Sequence, residues 1–325
     1  GCNIIFADSF GHEPYMIQAA KDFPNVQFCH STGTRAHTEN LANYHNAFAS
    51  IYEGRYLAGI AAGMKMNEMI EAGKFTADEA KMGYVGAFTY AEVVSGYTSF
   101  YLGAKSVCPT VTMDVTFTGS WYDETLEKEG AQKLIDGGCK LISQHADSLG
   151  APTACENAGV PNVSYNGSTQ AAGPNTYIIS SRIDWAPYYE MAIKAVMDGT
   201  EIPVDYTGDL KTGSVVLTDL NTAVAAEGTQ AAIDEAMAKL ENGELHVFDC
   251  STFTTSVELN PFKTDFLKVD ADGHITSYLA DVDTDEAYTG DTEVITDGYF
   301  AESTARSAPY FDLSIDGINL LDTKM

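Results

Sequence analysis

Short apolar, β-branched runs alternate along this chain with longer amphipathic segments, and that alternation constrains the fold more than any other feature. A strand flanked on both sides by helical segments is buried on both faces, so it reads as a continuous apolar run, the pattern of a parallel sheet covered by crossover helices. Strands are predicted at 3–8, 26–30, 82–87, 111–118, 140–144, 162–165 and 177–180, enough for two sheets. Between them, Leu126, Ala131, Leu134 and Ile135 share one helical face before Gly137 and Gly138 stop the helix. A second long helix is predicted from about residue 47 to 72. Its small residues in Tyr56-Leu-Ala-Gly-Ile-Ala-Ala-Gly63 suit close packing on a sheet.

At 325 residues the chain exceeds the usual size of one hydrophobic core, so two domains are expected, with one large α/β unit as the competing reading that size alone does not exclude. The polar stretch 71–81 carries Gly73 and precedes a fresh strand, which puts the first crossing between domains there, with a second near 180–185. The expected division is residues 1–80 plus about 183–245 for the first domain and 81–182 for the second. From about 248 onward Asp, Thr and Gly dominate up to a strand-like 311–321, so residues 246–325 are expected to form an acidic extension wrapping the body.

Eighteen Lys and Arg against 46 Asp and Glu give a formal charge of −28, a field that repels phosphate backbones and anionic lipid. Nucleic acid is therefore not an expected partner. The six cysteines form no CxxC pair, and no histidines stand at zinc-finger spacing, so free and mostly buried thiols are expected. No window reaches the roughly 18 consecutive apolar residues of a membrane span.

Signatures of catalysis are missing: there is no G-x-S-x-G elbow, no phosphate-binding GxxxxGK[ST] loop and no HExxH. His145 and Asp147 follow a predicted strand, at the carboxyl edge where open α/β sheets bind ligands, and a polar rim contact suits them better than a metal or base role. Asp281-Val-Asp-Thr-Asp285 fails as a calcium loop, because its sixth position is Glu286 and its twelfth is Thr292. Asp272-Gly273 reads as a tight hairpin turn. Trp121 sits just after a strand and just before the helix start at Asp123-Glu124, with its ring free to face a cleft.

In order along residues 3–249, Ile5-Phe-Ala-Asp-Ser-Phe-Gly11, Phe23-Pro-Asn-Val-Gln-Phe28, Tyr52-Glu-Gly-Arg-Tyr56, Gly83-Tyr-Val-Gly-Ala-Phe88, Gly119-Ser-Trp-Tyr-Asp123, Gln144-His-Ala-Asp147, Trp185-Ala-Pro-Tyr-Tyr189 and His246-Val-Phe248 resemble the basic membrane protein family. These are substrate-binding lipoproteins, and they include purine nucleoside receptors of ABC importers. The resemblance implies a type I periplasmic-binding-protein fold: two doubly wound parallel-sheet domains, three crossings forming a hinge, and a ligand cleft. It implies an extracytoplasmic, non-enzymatic receptor that hands a purine nucleoside or related solute to a membrane permease, without metal or cofactor.

Carried over by position, Trp121 matches an aromatic that stacks on the purine, and Asp147 and Asn166 match loop positions lining the cleft. Ser9 and Phe10 lie in the turn before Glu13, which matches an acidic position that hydrogen-bonds a base edge. Asn166 stands where nucleoside binders usually carry Asp, which leaves free bases or another small solute open. Family members also begin with two further strands and helices behind a lipoprotein signal and an anchoring Cys. Since none of that precedes Gly1, a longer parent protein is expected, with Cys2 not the lipid-bearing residue. The alternatives are a ligand sensor of the same fold, a purine nucleoside-processing enzyme needing a metal or phosphate site, and a surface adhesin without a closing cleft.

Overall fold

The computed structural model describes residues 1–282 and 292–324. The chain opens with β1 (Ile4–Ala7), α1 (Glu13–Asp22), β2 (Gln27–Ser31), α2 (Ala36–Glu39), β3 (Tyr44–Ala49) and α3 (Ile51–Glu71). It continues through β4 (Lys81–Gly86), α4 (Ala91–Val107), β5 (Thr112–Phe117), α5 (Glu124–Asp136), β6 (Leu141–His145), α6 (Gly150–Ala158), β7 (Asn162–Tyr165) and β8 (Tyr177–Ile183). After these come α7 (Ala186–Asp198), β9 (Asp205–Gly208), β10 (Val215–Leu217) and α8 (Thr229–Asn242). The remainder contributes β11 (Leu267–Val269), β12 (Ile275–Ala280), β13 (Thr292–Glu293), β14 (Ile295–Thr296), β15 (Tyr299–Phe300) and β16 (Ile318–Leu320).

Two sheets organise the molecule. The smaller has strand order β1-β2-β3-β9 and is wholly parallel. The larger has order β10-β8-β7-β6-β4-β5-β16 and is parallel except where β10 meets β8. All seven predicted strands are present, and the α/β, doubly wound reading holds. The predicted helix face of α5 holds in part: Ala131 and Leu134 are buried and Ile135 is half-buried, but Leu126 is exposed, and the Asp123 carboxylate caps the N-terminus by accepting from the Thr125 and Leu126 amides.

Three expectations need correction. The long helix does not begin near residue 47: Tyr44–Ala49 is a fully buried strand between β2 and β9, and the helix starts at Ile51. Ladder pairing on both edges overrides the helical preference of its alanines. The glycines of the predicted stretch, Gly59 and Gly63, meet helix α4 rather than a sheet. A Cβ on Gly59 would lie 2.1 Å from the Phe100 carbonyl oxygen, and one on Gly103 would lie 2.0 Å from that of Tyr56, so α3 and α4 touch backbone to backbone. Third, α3 adds to the core of the larger sheet and β10 pairs within that sheet, where the expected division grouped both with β1–β3; Ile51 and Val215 still cluster with Phe48 and Ala49 of β3.

The chain passes between the sheets at Ser50, at Asp184 and across 209–214. These crossings lie side by side. Ser50 donates its amide to the Gly208 carbonyl (2.7 Å), Asp184 donates to Ser214 (2.8 Å), and the Leu210 amide donates to the Glu53 carboxylate at 3.1 Å.

The segment after Val247 is built into the core. Phe248 stacks on Phe311 with centroids 4.4 Å apart, and Phe253 and Phe300 join them beside α3 and α4. Its β16 adds an edge strand next to β5, pairing Ile318 with Met113. Residues 270–273 form the expected turn between β11 and β12, with Gly273 at φ +90°. Of the second Asp-rich stretch, 283–285 lie outside the described residues; among the described residues no His, Cys, Asp or Glu cluster could hold a metal. All six thiols are free, and every one but Cys2 is buried. No helix among the described residues is long and apolar enough to cross a membrane.

Candidate functional site

The strand ends of the two sheets face each other across a cleft of about 250 Å³. From the smaller sheet come Asp8, Ser9 and Phe10 after β1, Thr32 after β2, and Phe48 near the end of β3. The larger sheet supplies Glu92 after β4, Trp121 after β5, His145 and Asp147 at β6, Tyr165 and Asn166 at β7, and Ile183 with Trp185 at β8. Apart from Glu92, which stands in the first turn of α4, the lining residues lie at or near the carboxyl ends of strands, where an open parallel sheet leaves loops free to hold a ligand. The volume sits just below the ~300 Å³ at which drug-sized pockets begin, so it suits a ligand of one or two rings.

Two aromatic walls dominate. The Phe10 and Trp121 rings are nearly parallel, 20° apart, with centroids separated by 6.4 Å. That is close to the ~7 Å that two stacked van der Waals layers occupy, so a flat ring can enter between them after a small opening. Phe88 and Tyr90 back the indole at 5.4 and 6.0 Å. On the opposite side Trp185 packs edge-on against Phe48.

Polar groups are set at the rim and floor. Asn166 donates its amide to Asp147 Oδ1 at 2.8 Å, and the Asp147 backbone N–H donates to the Trp121 carbonyl at 2.9 Å, which ties three adjacent loops together. Burial of one flank pushes the Asp147 carboxyl above its usual range, although its other side is open to the cleft. The buried Thr32 hydroxyl has no hydrogen-bond partner among the described residues. Asp8, Glu92 and Asp147 line the cleft, and no Lys or Arg does, so the field there opposes phosphate and carboxylate ligands and welcomes N–H and O–H donors.

Backbone strain gathers at the same place. Six non-glycine residues among those described have positive φ, and three of them, Ser9 (73°), Thr32 (69°) and Asn166 (64°), line this cleft. Ser and Thr gain nothing locally from such a conformation, and residues held there against preference concentrate at ligand sites.

Five of the six sequence-predicted site residues, Ser9, Phe10, Trp121, Asp147 and Asn166, meet in this cleft. Glu13 does not. It is buried beneath the smaller sheet's loops, where its carboxylate accepts the Thr34 and Arg35 amides (2.9 and 3.0 Å) and the Tyr44 hydroxyl (2.9 Å). Nor is His145 a rim contact: it is 2 % exposed, with Nε2 2.7 Å from Glu92 and Nδ1 3.1 Å from the Tyr84 hydroxyl. Beneath it, fully buried Arg55 donates to Tyr84, Ser143 and the Ser164 carbonyl. Sequence reasoning missed Glu92, although its place at the start of the helix that follows the 82–87 strand was a usable signal.

With this geometry in hand, residues 1–247 match the family of PnrA-like ABC transporter substrate-binding proteins. The chain is 34% identical over 252 residues to a putative ABC transporter glucose-binding protein of Haloferax volcanii, covering 77% of this chain and 60% of that protein. It is 32% identical over 248 residues to a purine-binding protein of Brucella abortus, covering 76% of this chain and 66% of that protein. The chain thus spans between three fifths and two thirds of the length of these relatives. A solute-binding protein of an ABC transporter system from Aeropyrum pernix superimposes with a TM-score of 0.65 at 18% identity, over 81% of this chain and 80% of that one, a likeness of fold. The chain belongs to the PnrA-like family of ABC transporter substrate-binding proteins.

Proposed function

We propose that this protein is the extracytoplasmic receptor of an ABC importer and that its cleft captures a purine base or nucleoside for delivery to the permease. The observation that carries the reading is the parallel Phe10–Trp121 pair above an acidic, cation-free floor. A neutral heteroaromatic gains stacking from both rings, and its ring N–H and amino donors meet Glu92, Asp147 and the Asn166 side chain. Ser9 offers backbone groups from its strained loop, and the unpartnered Thr32 hydroxyl is free to pair with the ligand. The purine-binding protein of Brucella abortus supports the same cargo. The two sheets act as lobes that close over the ligand, and the permease recognises the closed form without any covalent step.

A second reading is a monosaccharide. The glucose-binding relative of Haloferax volcanii favours it, as does a set of carboxylates that can accept sugar hydroxyls beside indole faces. Thermal-shift and calorimetric titration of the full chain with adenine, hypoxanthine, adenosine, inosine and glucose separates the two. The purine reading expects a raised melting temperature with at least one purine, lost in Trp121→Ala. A shift with glucose and none with any purine overturns it in favour of the sugar.

A further inference from the structure

The segment after residue 247 lies beyond the family match, yet its end reaches the loops that carry the cleft's aromatic wall. It touches the smaller sheet at Ser303, whose carbonyl accepts the Thr207 hydroxyl of β9 at 3.2 Å. It then runs along the larger sheet as β16 and finishes its contacts at 322–324. There the Asp322 carboxylate accepts the Phe117 amide on Oδ1 (2.7 Å) and the Thr116 hydroxyl on Oδ2 (2.6 Å), with Lys133 Nζ 3.2 Å from the same Oδ2. Two residues on, the chain clasps Thr89 from both sides: the Thr89 amide donates to the Lys324 carbonyl (2.7 Å), and the Lys324 amide donates to the Thr89 hydroxyl (2.9 Å).

These contacts fall at the roots of the cleft's aromatic wall. Phe117 ends β5, and Trp121 stands four residues later. Thr89 lies between Phe88 and Tyr90, the two rings that back the Trp121 indole and stack on each other at 5.2 Å. Loops at the ends of parallel strands have no ladder partner of their own, so their order depends on such added bonds. Charge-assisted bonds to a carboxylate are about twice as strong as neutral ones.

We infer that Asp322 and the 322–324 main chain are positioning residues for ligand binding, fixing the Phe88–Tyr90 and Trp121 loops as one wall. This rests on the reading of the cleft as the ligand site. The ordering cost of the wall is met before the ligand arrives, which raises affinity without a contact between the segment and the ligand.

Two measurements on the full chain test it. Trp121 and Trp185 are the two tryptophans, so in a Trp185→Phe background acrylamide quenching reports the Trp121 loop without any ligand. Asp322→Ala and, separately, Thr89→Val are expected to raise the quenching constant roughly two-fold or more. With Trp185 intact, the same substitutions are expected to weaken hypoxanthine binding by calorimetry about ten-fold, while Asp322→Asn, which keeps an oxygen for the Phe117 amide, restores most of it. Thr254→Ala breaks a bond from the Thr254 hydroxyl to Asp316 elsewhere in the same segment, and should change neither readout. Unchanged quenching, or raised quenching with unchanged affinity, overturns the positioning role. Failure of the unaltered protein to bind hypoxanthine, adenine, adenosine or inosine sinks the purine reading instead, and the quenching result still decides whether the segment orders the wall.

Discussion

Replacing Glu53 by glutamine probes the hinge through its pH dependence. Glu53 lies in the first turn of α3, and its carboxylate accepts the Leu210 amide from the third crossing. Burial pushes its pKa from an ordinary 4.5 to about 7; the Leu210 bond and Lys211 pull down, while Asp209 and Glu241 push further up. The folded state therefore holds this proton more tightly than the unfolded chain between the two values. Stability is fullest below pH 4.5 and falls as pH rises towards 7, where deprotonation in the fold becomes unavoidable. A shift of that size is worth at most about 3 kcal/mol at neutral pH. Glutamine stays neutral throughout and keeps an oxygen for the Leu210 amide. The stability of Glu53→Gln minus that of the unaltered protein should therefore be near zero at about pH 4.5 and grow to ~2–3 kcal/mol by about pH 7.5, several degrees in melting temperature. Urea unfolding at a series of pH values reads this difference, in which every other titrating group cancels. A flat difference across the range would refute the burial argument.

Gly103→Ala puts a methyl group 2.0 Å from the Tyr56 carbonyl oxygen, so urea unfolding should show a loss of ~1–3 kcal/mol that outweighs the ~1 kcal/mol gain in helix propensity. Glu13→Gln weakens a carboxylate that accepts from Thr34, Arg35 and Tyr44, so it should lower stability by ~1–3 kcal/mol and leave ligand affinity unchanged; a selective loss of affinity would return Glu13 to the site. Because burial raises the Asp147 pKa, acid should begin to weaken ligand binding above the ordinary carboxylate range, and Asp147→Asn should abolish that acid limb in titrations across pH.

How far the sequence carries depends on which physical rule each residue obeys. The strands were legible because doubly covered parallel strands must be apolar throughout, and the loop sites because ligands gather at strand ends. Tyr44–Ala49 was not: His45, Asn46 and two alanines give no β-branched signal, and burial between neighbours alone makes them a strand. Glu13 was misplaced for a related reason. Its nearness to Ser9 and Phe10 in sequence is real, but the phase of α1 turns its carboxylate inward to the Thr34 amide, and phase at a short helix start cannot be read without the partner. Glu92 and His145 lie 53 residues apart in sequence, and only the parallel arrangement of β4 and β6 makes them a pair.

That pair also bears on where the lobes divide. Arg55 is fully buried and pairs with no carboxylate among the described residues; the rings of Tyr84, Phe100 and Tyr165 surround its guanidinium at 5.3, 5.0 and 5.4 Å. Its negative counterpart is Glu92, reached through the Tyr84 hydroxyl and His145. A buried cation left without its partners is costly, so α3 is pinned to the strands that carry Tyr84, Ser143 and Ser164. We therefore propose that α3 moves with the larger sheet and that the boundary between lobes runs through Ser50, not near residue 80. Closure then twists the three crossings about the bonds Ser50–Gly208 and Asp184–Ser214, carrying Ser9, Phe10 and Thr32 towards a wall and floor that Arg55 already holds in place.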